Sequence, residues 1–423
     1  MKHGKEVQKK IAILDEALRL KIVEGKKTTR NNAAACAPSL LVDVSELIRH
    51  DARTGIQRVT KSVLNTWTLN PPQGFKVTPI YGDGRHYRDA SAFFEAPSGN
   101  EKGTNKGQIV SARRGDIYIS LELNFFVIAK KEILQIWHSR GIKLCFMIHD
   151  ILPLTLSTMF DKELTRVFAV WLKTVGGLAD KLICDSKTVA DELKNYLANK
   201  KVRVRDSLEI AWNLPGADYH CLTLPDSQPE EALQLPDSLG KKPSFLMVAT
   251  LEPRKCHHQV LSAFELLWKK GHDVNLVLVG KEGWMVKPLV EKIRTHPELG
   301  GHLFWFEGVS DATLEAIYCA STCLIMASLG EGFGLPLIEA AKHNLPIIAR
   351  DIPIFREVME DHAFFFKGNN AGDLVEDIGQ WLNLFLAGKA PKSSAISLRS
   401  WEESAQGLLE IILRPSSKIP NIY

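Results

Sequence analysis

Between residues 40 and 366 short apolar runs alternate with segments whose apolar positions recur at helical spacing, and this alternation limits the possible folds more than any other feature. The runs in the first half cover residues 40–44, 76–81, 116–121, 143–149 and 181–184. Those in the second half cover 244–250, 274–279, 303–307, 323–327, 346–349 and 363–366. Helical patterns at 56–67, 187–197, 260–270 and 335–343 separate them. Parallel strands need crossover connections, and strand–helix alternation is their pattern in sequence. Each half therefore reads as a doubly wound, Rossmann-like α/β unit. Residues 222–242 carry Pro225, Pro229 and Pro236 among polar residues with no strong period, which marks the division. The expected order is a basic segment and linker at 1–37, a first unit at 38–222 and a linker at 223–242. A second unit follows at 243–396, then a terminal helix and tail at 397–423. Ligands in such sheets bind beyond the carboxyl ends of the strands, here in a cleft between the units.

Charge and cysteine usage exclude several classes of function. The net charge of +4 is unevenly placed, because residues 1–30 hold nine Lys or Arg against four acids. That segment carries +5 and the remainder −1, so the catalytic body lacks the basic surface that nucleic-acid binding favours. Val7, Ile11, Leu14 and Leu18 share a helical face there, as in a basic amphipathic helix resting on anionic lipid. The same pattern also suits a helix packed on protein with a solvated basic face. No apolar run reaches the roughly 18 residues of a membrane span, and no secretion signal is evident. Seven scattered cysteines without a CxxC pair fit a reducing cytoplasm and no metal site. The expected location is cytoplasmic, with peripheral contact at the inner membrane face through residues 1–30.

The sharpest local signal is Glu331-Gly-Phe-Gly-Leu-Pro-Leu-Ile-Glu339, directly after the run at 323–327. Gly332 and Gly334 allow a tight turn and close approach to a ligand. Pro336 suits the first turn of a helix, and amides around Gly334 and Leu335 then form an anion-binding helix start. Two acids bracket this turn and can reach opposite ends of an elongated anionic ligand. A plain strand-to-helix turn with two solvated acids is the alternative.

This segment resembles the signature of the family-4 retaining glycosyltransferases, and the resemblance spans about residues 40–413. It implies the GT-B fold, with two Rossmann-like domains facing across a cleft and a terminal helix crossing back to the first. By that resemblance Glu339 binds the donor ribose, Glu331 contacts the donor sugar near its reacting carbon, and Phe333, Gly334 and Leu335 hold sugar and pyrophosphate oxygens. Val248-Ala-Thr-Leu-Glu-Pro-Arg-Lys255 matches a second family element, in which Lys255 binds phosphate. Thr250 stands where the family often has Arg, and Arg254 is the compensating cation. Such charge close to the breaking bond lowers the barrier electrostatically. His149, in Met147-Ile-His-Asp-Ile-Leu-Pro153, resembles the His that contacts the donor sugar, although a strand-end His beside Asp is also a common structural pair. Gly55, in Arg53-Thr-Gly-Ile-Gln-Arg58, resembles the amino-terminal glycine loop, while Thr54 as a helix N-cap explains the same residues. Cys184-Asp-Ser-Lys-Thr188 and the helix around Trp401 have architectural counterparts only.

The resemblance implies retention of anomeric configuration without a metal or other cofactor, with Lys255, Arg254 and a helix dipole neutralising the diphosphate. The elements TGIQRV, HDILP and LEPRK look like those of bacterial O-antigen mannosyl- and rhamnosyltransferases. They make GDP-mannose the expected donor and a lipid-linked saccharide the expected acceptor. The competing readings are a UDP-sugar donor or a fold that binds donor without turnover. An NAD-dependent oxidoreductase lacks its GxGxxG here, and no pyridoxal-phosphate lysine of a phosphorylase can be placed.

Overall fold

The computed structural model describes residues 37–51, 54–95, 107–217, 235–236 and 239–415. The basic segment at 1–30 and most of the 223–242 linker lie outside the described residues. The chain divides into two compact units. The first comprises Met1–Ile151, Glu163–Asp226 and Arg399–Tyr423, and the second comprises Leu152–Lys162 and Ser227–Leu398. Among the described residues, no helix is long and apolar enough to cross a membrane.

The first unit is built on a seven-stranded sheet of β1 (Ser39–Asp43), β2 (Lys76–Gly82), β3 (Tyr87–Asp89), β4 (Ile117–Ser120), β5 (Lys143–Ile148), β6 (Lys181–Cys184) and β7 (Glu209–Trp212). Its order is β3-β2-β1-β4-β5-β6-β7, with every pair parallel except β2 and β3. Leu40, Leu41 and Val42 are all buried because helices cover both faces, which explains an unbroken apolar run where a half-exposed strand would alternate. The edge strands β3 and β7 carry no such run. β3 is three residues long, and β7 opens on Glu209, so neither stands out in the sequence.

The helix Trp401–Leu413 belongs to this first unit. Ser400 starts it with a capping box, accepting from the Glu403 amide while the Glu403 carboxylate accepts from the Ser400 amide. Trp401, Ala405, Leu408, Leu409 and Ile412 pack with Val59, Val63 and Trp67 of the helix Gly55–Leu69. Trp67 also donates its indole N–H to the Ala405 carbonyl at 3.0 Å. Full burial of a residue such as Leu408 stabilises by about 1.5–3 kcal/mol, and a charge there would undock the helix. At its carboxyl end the last carbonyls are satisfied from the sheet. Lys181 Nζ donates to Ile411 at 2.6 Å and Arg414 at 2.9 Å, and Lys143 Nζ donates to Ile412 at 2.9 Å. Two ammonium groups at a helix carboxyl terminus also oppose its dipole.

The second unit carries a six-stranded, wholly parallel sheet of β8 (Ser244–Val248), β9 (Asn275–Val279), β10 (Leu303–Phe306), β11 (Cys323–Met326), β12 (Ile347–Arg350) and β13 (Phe364–Phe366). The order is β10-β9-β8-β11-β12-β13. Side chains alternate between two apolar layers, as the pleat requires. Phe245 and Met247 join Phe264, Leu278 and Trp381 in one, while Leu246 joins Val277, Leu324 and Ile347 in the other. The segment Leu152–Lys162, expected from sequence within the first half, groups with this unit. Its Met159 carbonyl accepts the Trp284 indole N–H at 3.0 Å, and Phe160 packs on the Trp284 ring at 5.6 Å. Those apolar partners lie more than a hundred residues downstream and leave no local trace. Strand order reverses between β8 and β11, and the chains leaving these two strands form a crevice at the carboxyl edge.

Candidate functional site

At this switch point β8 runs into a short 3-10 turn, Pro253–Lys255, and β11 runs into the glycine turn before the helix Leu335–Lys342. The two connections are stitched together, because the Leu329 amide donates to the Arg254 carbonyl at 2.8 Å. Lys255 Nζ donates to Glu331 Oε1 at 2.5 Å, and Arg254 Nη1 donates to Glu331 Oε2 at 3.1 Å. Arg254 Nη1 also donates to the Gly330 carbonyl at 2.9 Å, and its Nε lies 3.1 Å from Glu252 Oε2. Glu331, Lys255 and Arg254 thus form one buried charged cluster. Burial pushes the Glu331 carboxyl up, but the charges of Lys255 and Arg254 outweigh it and hold the group at about 2. Burial pulls the Lys255 ammonium below the ordinary lysine value, and the neighbouring Arg254 charge adds to this.

Gly334 caps the following helix at φ 94°, a left-handed backbone that favours glycine. A Cβ there would press on Leu337 and Phe355 at 3.2 Å each. Phe333 is buried, Leu335 and Pro336 open the helix, and Glu339 follows in its second turn at 5% exposure. Tyr318 donates its hydroxyl to Glu339 Oε2 at 2.7 Å. The helix start therefore presents its first-turn amides at the carboxyl edge of the sheet, with Glu339 one turn further along the same helix.

Several residues of this site had no marked signal in sequence. Glu252 lies inside the LEPRK element yet showed no role until its contact with Arg254 was seen. His257 begins the helix His257–Lys269 with its ring buried and neither nitrogen hydrogen-bonded, and burial followed by the Lys255 charge drives its pKa to about 3. Gly280 follows β9 where the loop after β8 continues to pair, with the Ala249 amide donating to the Val279 carbonyl and the Leu251 amide to the Lys281 carbonyl. A Cβ on Gly280 would fall 1.9 Å from the Ala249 carbonyl oxygen. A glycine directly after a buried strand is the signal that could have identified it. Arg350, at the end of β12, donates to Ala327, Gly368, Asn369 and Gln259, tying three connections beneath the site.

His149 and Gly55 belong to the first unit. His149 follows β5, is 7% exposed, and has both ring nitrogens engaged. Nδ1 lies 2.7 Å from Asp185 Oδ2, and Nε2 lies 2.9 Å from the Leu121 carbonyl. Both partners are acceptors, so the doubly protonated ring is favoured. Burial opposes that charge, but Asp185 and the Leu121 carbonyl prevail and raise the pKa. A hydrogen bond from this ring to a sugar requires exchange of one of these partners. Asp185 comes from the Cys184-Asp-Ser-Lys-Thr188 segment, for which the sequence suggested an architectural role only. Glu122 lies beside Leu121, and its Oε2 accepts the amides of Glu46 and Leu47 at 3.0 and 3.1 Å. Gly55 is the exposed first residue of its helix and has no positive φ. Thr54 caps that helix, accepting from the Gln57 amide at 3.3 Å while the Gln57 side chain accepts from the Thr54 amide. The N-cap alternative therefore accounts for this turn without a glycine requirement.

Comparison with known proteins follows the same geography. Residues 231–392 match the family model described as glycosyl transferases group 1. The chain is 38% identical over 420 residues to the serotype-specific mannosyltransferase WbdA of Escherichia coli, covering 98% of this chain and 49% of that protein. It spans about half the length of the curated relatives it matches first. A shorter match, 28% over 125 residues, joins 30% of this chain to 34% of the O-antigen chain mannosyltransferase RfbU of Salmonella typhimurium. Among solved structures, the sucrose-phosphate synthase of Thermosynechococcus elongatus aligns with a TM-score of 0.59 at 14% identity, over 88% of this chain and 98% of that one. The Anabaena protein HepE in complex with UDP-glucose aligns at 0.55 and 15% identity, over 88% and 94%. At these identities the structural likeness is one of fold, and the fold is GT-B.

Proposed function

From the premise that this chain carries a glycosyl transferases group 1 domain at residues 231–392 on a GT-B fold, we propose that it is a retaining glycosyltransferase moving mannose from GDP-mannose to a saccharide acceptor. The observation that carries this reading is the cluster of Lys255, Arg254 and Glu331 at the switch point of the second sheet, with Glu331 in the loop that leads into the helix of Glu339. As the bond between the sugar's anomeric carbon and the donor phosphate oxygen breaks, negative charge grows on the diphosphate. On this reading Lys255, Arg254 and the start of the helix Leu335–Lys342 neutralise it. Glu331 then contacts the sugar ring, and Glu339, oriented by Tyr318, takes the ribose hydroxyls. Phe333, Gly334 and Leu335 offer backbone groups to the sugar and pyrophosphate. The acceptor hydroxyl attacks the face the diphosphate leaves, and the leaving phosphate oxygen takes its proton, so no metal and no protein base is invoked. His149, charged and fixed by Asp185, positions the sugar by exchanging its Leu121 bond. One relative named as a serotype-specific mannosyltransferase supports mannose, and one named as an O-antigen chain mannosyltransferase supports an O-antigen saccharide as acceptor, which on our reading is lipid-linked. Such an acceptor would hold the enzyme at the cytoplasmic membrane face.

The test is a thermal-shift panel of GDP, UDP, ADP and dTDP with and without EDTA, followed by transfer of labelled sugar. A nucleotide at 100 times its Kd adds about 2.7 kcal/mol of apparent stability. A shift with GDP alone, unchanged by EDTA, is expected. A shift with UDP alone would move the donor to a UDP-sugar, and no shift with any of the four would remove the transferase reading.

A further inference from the structure

We propose that Glu331 is the internal counter-ion that an incoming diphosphate must displace, and that this exchange makes the site select two linked phosphates over one. The inference rests on the transferase reading and assigns Glu331 a task before any bond breaks. Its basis is the charge balance of the cluster. Lys255 and Arg254 contribute two positive charges, and Glu331 and Glu252 contribute two negative ones, all within salt-bridge distance. Each of these four side chains is no more than 12% exposed. The cluster is thus formally neutral and offers an approaching anion little net attraction.

A single phosphate can enter only by replacing the Glu331 carboxylate on the same cations. It exchanges the carboxylate's charge-assisted pairs for its own and leaves that buried carboxylate with no cation and only its Ser328 hydrogen bond, so the net gain is small. A diphosphate brings two anionic groups on one scaffold. They can divide between Lys255 and Arg254, with the helix start at Leu335 supplying further donors. Glu331, released from both cations, becomes an acceptor for sugar hydroxyls. Protonation cannot empty the position instead, because the carboxyl stays ionised down to about pH 2. On this account the acid and the cations form one exchange device: the carboxylate screens the cations until an anion of sufficient charge arrives.

The experiment is isothermal titration of the full chain with inorganic pyrophosphate and inorganic phosphate, comparing wild type with Glu331→Gln. The amide keeps the shape and removes the competing charge. Pyrophosphate should bind the variant about tenfold more tightly or better, given the coupling measured for close charge pairs. Inorganic phosphate should gain as well, narrowing the preference for two phosphates. Affinity equal to or below wild type would overturn the assignment. If circular dichroism shows that Glu331→Gln does not fold, Glu331→Asp draws the carboxylate back by one methylene. A smaller gain in the same direction is then expected, and no gain overturns the proposal. Titration of wild type with GDP, UDP, ADP and dTDP separates the two readings. Binding there without a gain in the variants sinks only the counter-ion assignment, whereas no nucleotide binding sinks the transferase reading and the inference together.

Discussion

The Tyr318 hydroxyl lies 2.7 Å from Oε2 of Glu339, joining two buried residues 21 positions apart on the helices Asp311–Ala320 and Leu335–Lys342. The Tyr318 ring stacks on His343 at 5.3 Å with the planes 7° apart, so the tyrosine is itself held. One oxygen of Glu339 is thereby oriented before any ligand arrives. A hydrogen bond to a charged group is worth about 1.5–3 kcal/mol. Tyr318→Phe is accordingly expected to weaken nucleoside diphosphate binding about tenfold, and Glu339→Ala more. Calorimetric titration with GDP checks this, and an unchanged Kd in both variants would remove Glu339 from the binding site.

His149 is expected to act on turnover more than on donor affinity. His149→Ala should lower kcat by about tenfold or more, as loss of a positioning group does, with little change in the donor KM. Asp185→Asn keeps the shape but removes the charge that raises the imidazole pKa. Titration of the His149 ring by NMR should then move to lower pH. An unmoved titration would mean that Asp185 does not hold the ring charged.

Stability should fall as the solution is made more alkaline, and Glu122 is a main cause. Burial is the largest influence on its carboxyl and raises the pKa from an ordinary 4.5 to about 8, against the opposing amides of Leu47 and Glu46. Between these values the folded chain keeps a proton that the unfolded chain has released. Stability is therefore full below the lower value and is lost as pH rises through the upper one, by up to about 1.4 kcal/mol per pH unit. Urea unfolding across this range should show a shallower slope for Glu122→Gln than for wild type. His149, whose pKa is also raised, contributes in the same direction above its ordinary value. Equal slopes in the two proteins would show that Glu122 is ionised in the fold.

Gly280→Ala tests the seam between the loops that follow β8 and β9. The added methyl would meet the Ala249 carbonyl oxygen, and φ at this position is 151°. A loss of more than about 2 kcal/mol is expected, in the range of backbone-strain mutations. Thermal unfolding measures it, and a loss within about 0.5 kcal/mol would mean that the two loops part easily.

The central strands were legible because burial on both faces writes itself into composition. β8, β9, β11 and β12 are apolar along nearly their whole length, and the runs that mark them end within about two residues of the observed strands. The glycine turn at 331–339 was legible for a related reason, since its backbone requirements are local and glycine and proline meet them. The edge strands β3 and β7 were not, because an edge buries less and tolerates Tyr-Arg-Asp or Glu-Ile-Ala-Trp equally. At Gly55 a helix cap and a ligand loop use the same residue types, so the sequence left both readings open, and the Thr54 capping box supplies the first.

By itself the sequence determined the central strands and the main helices, where the chain can turn, and that two acids and two cations stand beside such turns. Periodicity and turn chemistry are properties of neighbours along the chain, so a linear string carries them in full. Only the tertiary structure decided that Lys255 meets Glu331 across 76 residues, that Tyr318 holds Glu339, that His149 is held between Asp185 and Leu121, and that residues 152–162 pack with the second unit. Those pairings follow from the order in which strands are laid into each sheet. A hydrophobic period tells which face a residue turns inward and is silent about the partner waiting there.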